Sequence, residues 1–482
     1  MTRLIVGPFN RVEGDLEVQL DVAEGHVTSA RVVAPMYRGF EQMLVGRDPL
    51  DALVIVPRIC GICSVSQSVA AARALASVAG VKPPPNGLLA TNLMLATENL
   101  ADHISHFYLF FMPDFTRPCY AERAWHAEAV RRFDVCTGQH SREATAARQR
   151  WFTLLGTLGG RWPHTHAVHP GGSSRAIEAA ERLRLLAKVR EFRDFAETTL
   201  FGAPIEAVAA LHNEPALAAW CAQASDRGDL RFFLSIADDL QLERLGLGPD
   251  LAMSYGAYPR ADGSHAFAGG LWRHTGATLH SVDTQAILED LTSSRLEGPT
   301  LHPAQGQTRP DADKPGAYTW NKAPRLNGQV VETGAVARQL IDGQPLVRAA
   351  VQRSGTNVRT RVLARLIEVA RLIGLMEQWL QGLQIDAPFH HTTTMSDGPG
   401  EGLTEAARGA LGHWIDVHQG RIANYQIIAP TSWNFSPRDA AGTPGALEAA
   451  LVGAPVGEGD KAPVAVQHIV RSFDPCMVCT VH

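Results

Sequence analysis

Two Cys-x-x-Cys pairs, Cys60/Cys63 and Cys476/Cys479, together offer four thiolates. Two intervening residues let both sulfurs of a pair point the same way, so each pair can bind one metal through two donors. Bringing the two ends of the chain together would complete a four-sulfur site. Two chemistries compete for such a set. Four thiolates around a tetrahedral ion commonly mean structural zinc, but thiolates also suit softer transition metals. Structural zinc pairs usually lie close together on a small loop-rich module. Here more than 400 residues of ordinary globular sequence separate them, which makes zinc the weaker reading.

The residues around the pairs carry a further signal. Arg58-Ile59-Cys60-Gly61-Ile62-Cys63 and Asp474-Pro475-Cys476-Met477-Val478-Cys479-Thr480-Val481-His482 resemble the two metal-binding signatures of the nickel-iron hydrogenase large subunit. Other blocks are similar to that family and follow its order: Arg11-Val12-Glu13-Gly14, Met36-Tyr37-Arg38-Gly39-Phe40-Glu41, Asp102-His103 with His106-Phe107-Tyr108, and Trp320-Asn321-Lys322-Ala323-Pro324-Arg325. So do Arg408-Gly409-Ala410-Leu411-Gly412-His413-Trp414, and Tyr425-Gln426 followed by Pro430-Thr431-Ser432-Trp433-Asn434. The blocks span nearly the whole chain.

The resemblance implies a nickel held by all four cysteine sulfurs. Cys63 and Cys479 would also bridge to an iron carrying carbon monoxide and cyanide ligands, and Cys60 and Cys476 would bind nickel alone. Such a centre cleaves H2 heterolytically into protons and electrons, and soft sulfur donors stabilise the changing nickel oxidation state. Cys476 sulfur would take the first proton and Glu13 would relay it outward; without its motif, a single Glu reads as a surface charge. Arg408 matches the arginine lying over the open side of the metals, with Asp102 and Asp474 orienting it. A buried structural salt bridge among these three is compatible with that role. Glu41, His482 and a backbone carbonyl from the 425–428 segment, at Ile428, would hold magnesium. His482 could instead cap the buried tail by hydrogen bonding.

Some positions depart from the family pattern. The chain stops at His482, whereas most relatives are made with an extension that is removed after nickel insertion, so it is either a processed form or belongs to a branch without one. Gln67, Asp15 and Ala407 stand where catalytic members usually carry histidine, histidine and proline. Ile62 and Phe110 replace smaller Val and Leu near the mouth of the gas channel, a combination similar to the regulatory, H2-sensing hydrogenases. Extra carbon there narrows access for O2 more than for H2; ordinary core variation is the alternative. The resemblance therefore implies a low-activity H2 sensor, with an energy-conserving uptake hydrogenase in processed form as the alternative and a structural zinc protein as the remote one. A hydrogenase-like respiratory-complex subunit that has lost its metal would lack cysteines that are present here.

The chain lacks a cysteine set for iron-sulfur clusters, yet electrons must leave singly. A partner is implied: the iron-sulfur small subunit, with a sensor histidine kinase downstream in the regulatory branch and a higher oligomer of heterodimers.

Composition fits a globular enzyme, with 45% hydrophobic and 19% charged residues and a net charge of −5. No basic stripe points to nucleic acid. No apolar run approaches the ~20 residues of a membrane span, and the N-terminal apolar stretch is too short for a signal peptide, so a cytoplasmic location is expected. Seven cysteines with a paired metal pattern fit a reducing compartment. Cys119, Cys136 and Cys221 read as small core residues.

Without repeats or long linkers, residues 1–482 read as one domain, mainly α with a small N-terminal β region, an α+β fold. Residues 1–58 are the β-rich part, with strands over 16–22 and 27–33 around a Glu24-Gly25-His26 turn. Residues 59–482 should form a mostly helical core, with helices over 64–79, 89–111, 142–157, 176–200 and 357–383. The Pro/Gly-rich stretches 298–316 and 442–463 read as surface loops without catalytic residues.

Overall fold

The computed structural model describes residues 2–482. It opens on an antiparallel sheet of β1 (Thr2–Val6), β2 (Glu17–Ala23) and β3 (His26–Val33), ordered β1-β2-β3. Alternation produces this sheet: Val18 and Leu20 of β2 are fully buried while Glu17, Gln19 and Asp21 face outward. β1 was not expected; its apolar residues pair with β2 from Thr2↔Val22 to Val6↔Val18.

Helices follow. After two short helices, Phe40–Leu44 and Ala52–Ile55, α1 (Ser64–Ala79) starts directly after Cys63, and α2 (Pro85–Ser105) begins on a proline that fits a helical first turn. α2 runs into a π-helical turn, His106–Phe111. The 142–157 expectation falls on α3 (Gln139–Trp151) and a separate short helix, Thr153–Gly159. The 176–200 expectation falls on α4 (Ala179–Phe195) and a second π-helical turn. α5 (Val358–Gly382) is framed by Asn357, whose side chain accepts from the Thr360 amide while Thr360 returns a bond to the Asn357 amide.

Strand also occurs well beyond the N-terminal part, inside the stretch expected to be mostly helical. The strands β4 (Gly398–Ala406), β5 (Gly409–His418) and β6 (Arg421–Ile428) form an antiparallel sheet against α1. Contact is close because Gly402 has no side chain: a Cβ there would lie 2.0 Å from the Ala70 carbonyl oxygen and 2.4 Å from the Ala74 amide nitrogen. The chain closes with α6 (Val464–Ser472) and α7 (Met477–Thr480). The principal apolar core draws residues from Val6 to Val481, so both ends of the chain pack into it. The result is the expected α+β fold with a helical core.

Two readings are corrected. Cys119 and Cys136 are exposed and Cys221 is half-buried, because they lie on surface turns and the outer side of a short helix, where cysteine's preference for burial is overridden. The 442–463 stretch is not all surface loop: Ala446–Ala450 is a helix. Its Glu448 is buried and accepts from the Val32 amide and the Tyr318 hydroxyl.

Candidate metal centre

The fold brings both Cys-x-x-Cys pairs together. Sγ of Cys60 lies 3.4 Å from that of Cys476, Cys63 3.2 Å from Cys479, and Cys476 2.8 Å from Cys479. All four ligand atoms lie within 4.8 Å of one another, and all four residues are buried. No disulfide links them. Four thiolates held this closely would repel one another unless a cation sat among them, and an all-sulfur set is the donor chemistry of a soft transition metal. The residues therefore fit the expected metal. Cys63 is also the N-cap of α1, so this helix starts at the cluster.

Three features close the chain ends over the site. Glu13 pairs in parallel with Cys476: its amide reaches the Pro475 carbonyl at 3.4 Å, and its carbonyl accepts from the Met477 amide at 2.7 Å. Gly14 then turns with φ +79°, and a Cβ there would lie 2.9 Å from both the Val478 amide nitrogen and its Cγ1, so the motif needs glycine. Arg38, whose role sequence reasoning missed, donates from Nη1 to the carbonyls of Ile59 and Val478, the residues just before Cys60 and Cys479. Its presence in the Met36–Glu41 block was the available signal. The half-buried Glu13 has its pKa raised, first by burial and then by the nearby Cys60. Such a carboxyl is suited to taking up and passing on a proton.

Arg408 sits in the tight turn between β4 and β5, and the hairpin delivers it to the centre. Its guanidinium bonds Asp102 of α2 through two nitrogens, and Asp474 through Oδ1 and the backbone carbonyl at 3.0 Å each. Burial would raise the Asp474 carboxyl, but Arg408 and Arg365 outweigh it and hold it low. Arg338, also missed, supports the turn by donating to the carbonyls of Ala406 and Ala407 at 2.8 and 2.9 Å while paired with Glu368 and Glu405. The salt-bridge role of Arg408 is thus on display, and its place beside the cysteines leaves the cation available to developing negative charge. Arg408→Lys should lower stability by about 1–3 kcal/mol, because one ammonium cannot replace the fork and leaves buried acceptors short of donors. A fall in the melting temperature of the purified holoprotein checks this; an unchanged value would mean that lysine satisfies both aspartates.

The residues expected at magnesium also meet. His482 Nε2 lies 3.1 Å from Glu41 Oε1, and the Ile427 amide donates to the same oxygen at 2.8 Å, placing Glu41 beside the end of β6 where Ile428 lies buried. Lys322 Nζ reaches Glu41 at 3.1 Å, Glu289 at 3.3 Å and Gln426 at 2.8 Å. Burial would raise the Glu41 carboxyl, but Lys322 and His482 hold it at about 2. Thr308, from the 298–316 loop read as surface, also donates to Glu41. His482 additionally bonds the Cys479 carbonyl, so the tail-capping role is realised as well. A carboxylate, an imidazole and a nearby strand end fit a hard, partly hydrated cation.

Of the positions expected at a gas channel, Ile62 packs half-buried against the principal core. Phe110 is half-buried in the π-helical turn after α2, and its carbonyl accepts from Arg11 at 2.8 Å. Gln67 is fully buried, with Oε1 2.9 Å from His413 Nε2.

Comparison with known proteins defines the class. The family profile described as nickel-dependent hydrogenase matches residues 38–133 and 125–482. The chain belongs to the nickel-dependent hydrogenase family, as a large subunit. It is 29% identical to the periplasmic [NiFeSe] hydrogenase large subunit of Desulfomicrobium baculatum, covering 100% of this chain and 95% of that protein. It is 28% identical to the uptake hydrogenase large subunit of Rhodobacter capsulatus and 27% to the hydrogenase-2 large chain of Escherichia coli, covering all of this chain and 95% and 97% of theirs. The structure of the H2-activated Dm. baculatum [NiFeSe]-hydrogenase superposes with a TM-score of 0.87 at 28% identity, covering 100% of both chains. The reduced [NiFeSe] hydrogenase of D. vulgaris Hildenborough gives 0.85 at 29%.

Proposed function

We propose that this large subunit cleaves H2 at a nickel-iron centre as the input stage of an H2 sensor. The observation that carries the hydrogenase chemistry is the buried four-sulfur cluster with Glu13 and Arg408 beside it. Bound there, nickel and an iron with carbonyl and cyanide ligands would supply the Lewis acidity and redox capacity for heterolytic cleavage. The chain supplies the rest. Cys476 sulfur accepts a proton, Glu13 passes it outward, and Arg408, fixed by Asp102 and Asp474, offers a permanent positive charge in a water-poor site. Glu41, His482 and the Ile428 carbonyl would hold magnesium, a hard cation suited to carboxylate and carbonyl oxygen. Electrons leave to an iron-sulfur small subunit, as the chain's standing as a large subunit requires a partner. A sensor histidine kinase reads the signal, in a cytoplasmic higher oligomer of heterodimers.

The sensor reading is supported by Ile62 and Phe110, whose extra bulk would narrow a gas path beside them, and by the departures Gln67, Asp15 and Ala407. Ile62→Val with Phe110→Leu should make H2 oxidation markedly more sensitive to O2. Activity followed under stepped O2 tests this, and unchanged sensitivity in the double variant would remove the gate. An uptake hydrogenase is the second reading, favoured by the relatives named as uptake enzymes.

A further inference from the structure

A cavity of about 410 Å³ opens where the second half of α1 meets the start of α2 and the turn around 168–172. Its walls are apolar, with Val69, Ala72 and Ala76 from α1, Leu88 from α2, and Val168 and Pro259. Its volume falls within the ~300–1,000 Å³ of ordinary small-molecule sites. It lies apart from the cysteine cluster, and none of the residues assigned above to the metal centre lines it.

The polar groups in this lining are unusual. Arg73 makes one hydrogen bond, to the Leu403 carbonyl, and forms no ion pair among the described residues. Burial alone pulls its pKa down, to about 10, so it stays a cation at neutral pH. Lys82 and His169 also line the cavity, and no acidic residue does. Asn92, 2% exposed, donates from Nδ2 to the Pro259 carbonyl at 2.9 Å, which fixes this wall of the cavity. Arg73 thus presents a half-buried cation with no anionic partner at an otherwise apolar wall, which favours an anion that enters the cavity. A guanidinium pairs best with a planar anion that accepts two hydrogen bonds, and the apolar walls call for a hydrocarbon body.

We propose that this cavity is a binding site for a small amphiphilic carboxylate, its head on Arg73 and its hydrocarbon chain along α1. Lys82 at the exposed edge adds attraction for the anion.

The test is calorimetric titration of the purified holoprotein, with its native partner bound, using decanoate. One saturable site per large subunit is expected. Decyltrimethylammonium and decanol, with the same chain but no anionic head, should bind at least about tenfold more weakly. Arg73→Gln should weaken decanoate binding by at least about tenfold and Arg73→Lys by less. Arg73→Gln also loses the bond to Leu403 and could unfold α1 locally; Ala76→Phe leaves that bond intact, fills the cavity and should abolish binding. No saturable binding of decanoate, equal binding of the cationic analogue, or unchanged affinity in Ala76→Phe would overturn the proposal.

Discussion

Cys476→Ala should eliminate H2 oxidation, with a loss of at least about 10³-fold, equivalent to about 4 kcal/mol of transition-state stabilisation. The reasoning begins with the geometry of the four sulfurs. Cys476 lies 3.4 Å from Cys60 and 2.8 Å from Cys479, so removing it takes away a metal donor that touches both pairs. It also removes the sulfur assigned to accept the first proton. The backbone should survive, because the Cys476 amide is held by the Thr431 hydroxyl at 3.1 Å and the neighbouring Met477 amide by the Glu13 carbonyl, neither of which uses the side chain. Nickel measured on the purified variant should therefore fall while its circular dichroism stays close to that of the parent. Retained activity with full nickel would contradict the role given to this sulfur.

The second large effect is expected at Glu13. Glutamine matches glutamate in shape and preserves the backbone pairing with Cys476, but it cannot carry a proton. Glu13→Gln should lower steady-state H2 oxidation by about 10²–10⁴-fold, the range for losing a positioned proton-transfer group. Metal content should stay unchanged. Glu13→Asp, which keeps the carboxyl on a shorter stem, should recover part of the rate. A purely structural role would give the opposite order, with glutamine tolerated and aspartate not. Assays of H2-dependent dye reduction alongside nickel analysis separate the two.

Much of this account was legible in the sequence, and the parts that were not have physical reasons. α1 and α5 show helical spacing with clear ends: α1 begins after Cys63, and Asn357 caps α5. The β2–β3 hairpin shows alternation, though its turn is Glu24 and Gly25 alone, and His26, read as part of the turn, already pairs with Ala23. The β4–β6 sheet was not legible because β5 is buried on both faces for most of its length, which erases the period-two signal. That omission hid how Arg408 is delivered, on a hairpin tip supported by Arg338. The four cysteines were readable because their spacing is local within each pair and their flanks are distinctive. Arg38 was quoted within its block yet its role was invisible, since the carbonyls it binds, Ile59 and Val478, become neighbours only after the chain ends meet. The exposure of Cys119 and Cys136 shows the limit of reading burial from residue type alone.

The central claim is a nickel-iron centre held by Cys60, Cys63, Cys476 and Cys479. Infrared spectroscopy with metal analysis, on the chain purified with its native partner, tests it most directly. The account predicts stoichiometric nickel together with iron-bound carbonyl and cyanide stretching bands; zinc in the absence of those bands would contradict it.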